Sequence, residues 1–115
     1  LPTSKEWVAA CLGDKGDLYS YGPRHDPSRG RTALTWYAGA DTVGIGEAGG
    51  YGATDMVGNV WEWVDGWYDE ARTLRVMYGG SWADGPDWAK CTGQMWARPG
   101  ARRADAGFRC AIDKE

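Results

Sequence analysis

The nine residues Asp55-Met56-Val57-Gly58-Asn59-Val60-Trp61-Glu62-Trp63 put two carboxylates, two tryptophans and two glycine-type backbone signals into one short stretch. From Val57 to Val64 the residues alternate. Val60 and Glu62 fall on one side, Trp61 and Trp63 on the other, which is a strand pattern. A strand with two indoles on one face must be held by a core, and here that core has to be largely aromatic. Leu, Ile, Val and Phe are scarce, whereas the 115 residues include 8 Trp and 6 Tyr. Each such ring buries a large area and asks for a partner for its polar atom. A chain of this length hides roughly two-thirds of its unfolded surface on folding, enough for a core of its own. It reads as one domain over 1–115. The 18 glycines exceed the roughly 7% norm. With 5 prolines and no short repeat, they indicate a loop-rich domain with many tight turns.

Thr3-Ser4-Lys5-Glu6 is a capping box. Trp7, Val8, Cys11 and Leu12 then share one helical face, and Gly13 can end the helix. Arg75 to Tyr78 reads as a second strand running into Gly79-Gly80, and Gly107 to Ile112 as a third, with Phe108, Cys110 and Ile112 on one face. Residues 13–32 and 38–54 are irregular, with Trp36 and Tyr37 between them dipping into the core. Residues 83–106 have no clear period and form the obvious surface for function. So little regular structure calls for disulfides or bound cations to hold the loops.

The formal net charge of −3 and the interspersed signs leave no footprint for nucleic acid. Arg98, Arg102 and Arg103, with Asp105 beside them, read as a solvated or ion-paired cluster. No apolar run is long enough to span a bilayer. Three cysteines allow one pair plus a free thiol, or three free thiols. The single His25 reads as a surface or core-edge residue. Ser81 reads as a turn hydroxyl without a base. Gly44-Ile45-Gly46 is a weak phosphate-loop signal, because no helical pattern follows it.

Leu1-Pro2-Thr3-x-x-Glu6-Trp7, the Asp55–Trp63 stretch, Arg75-Val76-x-x-Gly79-Gly80-Ser81-Trp82 and Gly107-Phe108-Arg109 follow one another in the order of the formylglycine-generating-enzyme (sulfatase-modifying-factor) family, which the chain resembles. The resemblance covers nearly the whole chain and lacks the family's usual N-terminal half. It implies a C-type-lectin-like α+β fold with a small antiparallel sheet, one or two helices and much loop. It also implies a structural Ca²⁺ held by the side chains of Asp55 and Glu62 and the carbonyls of Gly58 and Val60. Such an oxygen set is one that calcium accepts. It further implies a Cys11–Cys110 disulfide. The departure is in the catalytic region. The oxygen-dependent enzymes use two cysteines about five residues apart, a little after Gly-Gly-Ser, to hold soft Cu(I). Here Asp84, Asp87 and Trp88 occupy that neighbourhood and Cys91 stands alone. The iron-dependent relatives need several histidines, and one is present.

The same family fold is shared by variable proteins of diversity-generating retroelements, which resemble the enzymes but lack the catalytic pair. Their variable region begins after Gly-Gly-Ser-Trp and ends near Gly-Phe-Arg, which maps to 83–106. Adenine mutagenesis of Asn codons reaches Asp, Gly, Ala, Pro, Thr, Cys and Arg. The segment has no Asn and holds Asp84, Gly85, Asp87, Ala89, Cys91, Thr92, Gly93, Arg102, Arg103 and Asp105 from that set. Trp88, Lys90, Gln94, Met95 and Trp96 would be fixed. The resemblance therefore implies a non-enzymatic display protein that binds a protein or cell-surface ligand and sits in an extracellular, cell-surface or virion-surface location. Its binding residues would be Asp84, Asp87, Trp88, Ala89, Lys90, Cys91, Thr92, Gln94, Trp96, Arg102, Arg103 and Asp105. Core packing is the competing role for both tryptophans, and Trp96, beside Met95, leans toward it. The competing functions are an oxidoreductase domain with Cys91 as its remaining thiol, or a structural surface or tail subunit.

Overall fold

Helix α1 (Ser4–Leu12) starts where the capping box places it. In the computed structural model, which describes residues 1–26, 29–33, 39–44 and 49–113, Thr3 Oγ1 accepts the Glu6 N–H and Glu6 Oε1 accepts the Thr3 N–H at 2.8 Å. Gly13, with φ +67°, closes the helix. Trp7 and Cys11 are its buried side chains, flanked by half-buried Val8 and Leu12. Trp36 and Tyr37, and Ile45 and Gly46 of the Gly-x-Gly, lie outside the described residues.

Strands β1 (Trp61–Trp67), β2 (Arg75–Tyr78), β3 (Gln94–Ala97) and β4 (Ala106–Phe108) form one mixed sheet in the order β3-β2-β1-β4. β1 and β2 are an antiparallel hairpin, β3 adds antiparallel to β2, and β4 lies parallel to β1. α1 packs on β1 and β2. The central strand β1 is buried on both faces. Glu62 and Val64 face Trp7 and the helix side, and Trp61 on the other face is fully buried.

Three elements differ from the sequence pattern. β1 begins at Trp61 rather than near Val57, because Gly58 (φ +77°) and Asn59 (φ +64°) turn the chain through the left-handed region just before it. β4 stops at Phe108, and Ile112 is 95% exposed, so the alternation from Phe108 to Ile112 does not mark a strand. β3 lies inside the segment that shows no period. Its four residues alternate two by two, Met95 inward and Trp96 outward, so Trp96 is not core.

Asp69 organises the turn between β1 and β2. Its Oδ1 accepts the N–H groups of Thr73 and Leu74 at 2.9 Å each, and its Oδ2 accepts the Thr73 hydroxyl. These bonds, the Thr73 hydroxyl first, hold its carboxyl below the usual range. Asp41, through the Thr42 N–H and then Arg31, and Asp105, through Arg103, are depressed in the same sense. A depressed folded-state pKa contributes stability that is fully present above the unfolded value of about 3.9 and is lost as pH falls through the lower folded value. Urea midpoints measured from pH 6 downward should therefore hold steady to about pH 5 and fall below about pH 4. Asp69→Ala should lower the midpoint at neutral pH and make the acid fall shallower. An unchanged acid slope in that variant would show that Asp69 does not contribute.

The two glycines after β2 are positions where chemistry dictates the residue. Gly79 has φ +101° and Gly80 φ +73°. A Cβ on Gly79 would run into the Met56 carbonyl and the Trp7 ring, and one on Gly80 into the backbone of Ala89. Gly80→Ala should destabilise the chain by more than about 2 kcal/mol through strain and overlap together. Chemical denaturation measures it, and a loss under about 0.5 kcal/mol, the range of neutral surface changes, would mean the loop can move away.

Candidate functional site

The segment after Gly79-Gly80 is first of all fastened down. Ser81 is fully buried. Its hydroxyl donates to Asp84 Oδ2 at 2.5 Å and accepts the Ala83 N–H. The Asp84 carbonyl accepts the Ala33 N–H. Ala89 is fully buried against Gly80. The Cys91 N–H donates to the Leu18 carbonyl at 2.8 Å, and the Tyr19 hydroxyl donates to the Pro86 carbonyl. Gly93 donates to Lys90 O and accepts from Gly79 N, in a corner where a Cβ would collide with the Trp88 carbonyl.

The disulfide joins Cys11 to Cys91, not Cys11 to Cys110. The two Cα atoms are 5.5 Å apart across 80 residues of sequence, a spacing that suits a disulfide. Cys110 lies two residues beyond β4, the edge strand on the far side of β1, and is an exposed free thiol. Cys91 and Ala89 are therefore buried and face no ligand. Asp84 is committed to the turn. Cys91 is also unavailable as the reactive thiol of an oxidoreductase.

Six of the other expected binding residues come together. Asp87, Trp88, Lys90, Thr92, Gln94 and Trp96 line one open cleft of about 500 Å³ together with Gly93 and Tyr68. Trp88 is 50% exposed and Trp96 43%. Tyr68, just past the end of β1, is 45% exposed and stacks on Trp96 with centroids 4.3 Å apart and planes 13° from parallel. Sequence reasoning missed Tyr68 because its contact is across the sheet, two strands away. A readable signal was its position after Trp67 at a strand end. Arg102, Arg103 and Asp105 do not line this cleft. Arg103 and Asp105 form a two-pronged ion pair at 2.8 and 2.9 Å, the arrangement expected of that cluster. The Asp105 carbonyl accepts the Trp61 N–H.

The residue types also redistribute. Of the positions whose residues adenine mutagenesis can reach, Asp87 and Thr92 line the cleft, while Ala89, Cys91 and Gly93 are locked by packing. Half of the lining residues are ones assigned as fixed: Trp88, Lys90, Gln94 and Trp96.

A second cavity, of about 240 Å³, gathers Asp55, Val60 and Glu62 from the expected calcium set, with Thr54, Asn59 and Arg109. Gly58 does not line it. Glu62 is 4% exposed and accepts three N–H groups. Oε1 takes Trp7 Nε1 at 2.9 Å and Arg109 Nε at 2.5 Å, and Oε2 takes the other prong of Arg109 at 2.9 Å. These bonds to Glu62 push the Arg109 pKa further up. Asp55 accepts the Gly44 N–H at 2.6 Å. Glu62 and Arg109 thus form a two-pronged ion pair in the wall of this cavity. Among the described residues no group of three or more His, Cys, Asp or Glu could hold a metal, and no helix is long and apolar enough to cross a membrane.

The family model for the sulfatase-modifying factor enzyme 1-like domain matches residues 1–114. The chain belongs to this family. It is 35% identical over 129 residues to the inactive C-alpha-formylglycine-generating enzyme 2 of Bos taurus, an alignment covering 96% of this chain and 43% of that protein. It is 27% identical to the formylglycine-generating enzyme of Mus musculus, covering 98% and 39%. Among solved structures it is similar to Treponema denticola variable protein 1, with a TM-score of 0.87 and 26% identity over 94% of this chain and 45% of that one. The α+β, C-type-lectin-like architecture and the likeness to a variable protein stand as the motifs implied. The chain spans less than half the length of these relatives.

The disulfide makes a direct prediction. Closing 80 residues removes unfolded-state entropy worth about 4.5 kcal/mol in the loop-closure model. Reduction, or the double change Cys11→Ala with Cys91→Ala, should lower the urea midpoint strongly, while Cys110→Ala leaves it within error. If Cys110→Ala were the destabilising change, the pairing would be wrong.

Proposed function

We propose that this domain is a non-enzymatic ligand-binding module, a display protein of the variable-protein type, whose binding surface is the cleft between Tyr68, Trp88 and Trp96. The observation that carries this reading is the exposure of three large aromatic rings around one cleft, on a segment otherwise locked by a disulfide, buried glycine contacts and backbone bonds. A rigid frame with exposed aromatic rings and mixed polar groups suits a protein or cell-surface ligand. Rings supply contact area at low entropy cost, and Asp87, Lys90, Thr92 and Gln94 tune the choice. Two relatives support the non-enzymatic side: one is named inactive and the other a variable protein. The catalytic pair of thiols has no counterpart, since Cys91 is oxidised and Cys110 lies apart. We further propose an extracellular, cell-surface or virion-surface location, because a disulfide across 80 residues persists in oxidising surroundings.

In this reading, variation is confined to side chains that face out. Randomising Asp87, Trp88, Lys90, Thr92 and Gln94 together in a displayed library should leave most members folded, and selection on a panel of purified proteins should enrich binders. Randomising Ala89, Cys91 and Gly93 should leave few folded. Equal folding yields from both libraries would refute the division of the segment into frame and surface. A purified chain that converts the cysteine of a sulfatase peptide to formylglycine would refute the non-enzymatic reading.

A further inference from the structure

β3 is an edge of the sheet, with β2 as its one neighbour. Its register shows which of its backbone groups are already used. In an antiparallel pair, opposed residues that exchange N–H···O bonds alternate with opposed residues that do not. The Gly79 N–H donates to the Gly93 carbonyl, and the same register continues through Met77 opposite Met95 and Arg75 opposite Ala97 as the bonded pairs. Tyr78 opposite Gln94 and Val76 opposite Trp96 fall between them. The N–H and C=O groups of Gln94 and Trp96 therefore point away from β2, along the edge. Among the described residues none bonds to them there. The same two residues send their side chains into the aromatic cleft, and both are exposed, whereas Met95 and Ala97 are half-buried. Two N–H and two C=O groups thus stand unpaired beside an open cleft of about 500 Å³. A strand edge in this state is a template for pairing with another chain.

We infer, on the reading of this cleft as the binding surface, that its ligand is an extended peptide segment that adds to the sheet along β3. Three features support this. Main-chain bonds to Gln94 and Trp96 supply affinity whatever the ligand sequence, while alternate ligand side chains fall on the cleft side and meet Trp88, Lys90 and Thr92. The Trp96 ring is drawn back over the sheet by its stack on Tyr68, which follows β1, two strands in from this edge, so the space beside β3 stays open. A second copy fits less well. Pairing β3 with β3 would bring only Gln94 and Trp96 of the other copy toward each cleft, and that Trp96 ring is already held by its own Tyr68.

The test is amide hydrogen exchange, read by NMR on the whole chain, alone and with a linear peptide selected on it from a displayed random library. In the free chain the Met95 and Ala97 amides should exchange slowly and those of Gln94 and Trp96 fast. Bound peptide should slow Gln94 and Trp96 by roughly tenfold or more. N-methylation along the peptide should weaken binding by roughly tenfold at every second residue and little between. A peptide that shifts the Trp88 and Trp96 ring signals yet leaves Gln94 and Trp96 exchange unchanged would overturn strand addition and leave the cleft as the binding surface. Slow exchange of these two amides in the free chain would also overturn it, a dependence on protein concentration pointing to a second copy. If folded proteins are enriched as binders and no linear peptide is, the extended form is wrong. If neither is enriched, the binding reading fails and strand addition with it.

Discussion

The carboxylate of Glu62 is the point through which the separate parts of this molecule are joined. It sits on the central strand, 4% exposed, where an unpaired charge would be costly by several kcal/mol. The partners that remove that cost come from the two ends of the chain. Trp7 donates from α1, and Arg109 from the residue after β4. Arg109 also reaches the Thr54 carbonyl, so the irregular stretch before β1 is fastened to the same atoms. Removing one partner of a buried pair typically costs about 3–5 kcal/mol, because the other charge is left uncompensated. A sheet of four short strands gains from such a hub a tie that its own ladder bonds do not supply. The motif glycines work beside it: Gly58 and Asn59 turn the chain so that Glu62 enters the sheet pointing at α1.

How much of this could be read from the residues depends on the range of each interaction. The capping box, the Trp7 and Cys11 face and β2 are local, set by residues within a turn or a strand of one another, and they were legible. The start of β1 was not, since two left-handed residues outweighed an alternation that continued through them. β3 was hidden because four residues with one inward methionine give too short a pattern to separate from loop. The disulfide depended on which segment lies against α1, a question of chain tracing over 80 residues, and the family analogy supplied the wrong partner. Within the candidate site, Asp87, Trp88, Lys90, Thr92, Gln94 and Trp96 were legible as a group because they share one segment. Asp84, Ala89 and Cys91 were assigned to it for the same reason and proved to be frame. Proximity in sequence separates neither the two roles nor Tyr68 from its surroundings.

The Cys11–Cys91 bond changes what the chemistry can be. A thiol that is oxidised and fully buried cannot attack a substrate or hold a soft metal. The same sulfur instead anchors the base of the segment to α1, and Gly80 under Ala89 anchors it a second time. These are constraints on backbone, not on side-chain identity at the exposed positions. A segment built in this way keeps its path when Asp87 or Thr92 is exchanged, which a loop held by its own exposed side chains would not do.

The Tyr68–Trp96 stack extends that logic to the proposed binding face. A free indole at the surface would lose rotamer freedom on binding, at a cost of about 0.5–1.5 kcal/mol for each immobilised side chain. Here the ring of Trp96 is already held against Tyr68, which comes from the β1–β2 turn region and lies outside the 83–106 segment. That turn is itself fixed by Asp69 through three accepted hydrogen bonds. Trp88, by contrast, lies in the tightly bonded bend between Gly85 and Gly93, where the backbone is fixed and the ring is exposed. The cleft thus pairs a stacked aromatic wall with an opposite side of exposed Trp88 on a bonded backbone. In the proposed binding role, a ligand on the Trp96 face would gain contact area without ordering it first, and discrimination among ligands would fall to Asp87, Lys90 and Thr92 around Trp88.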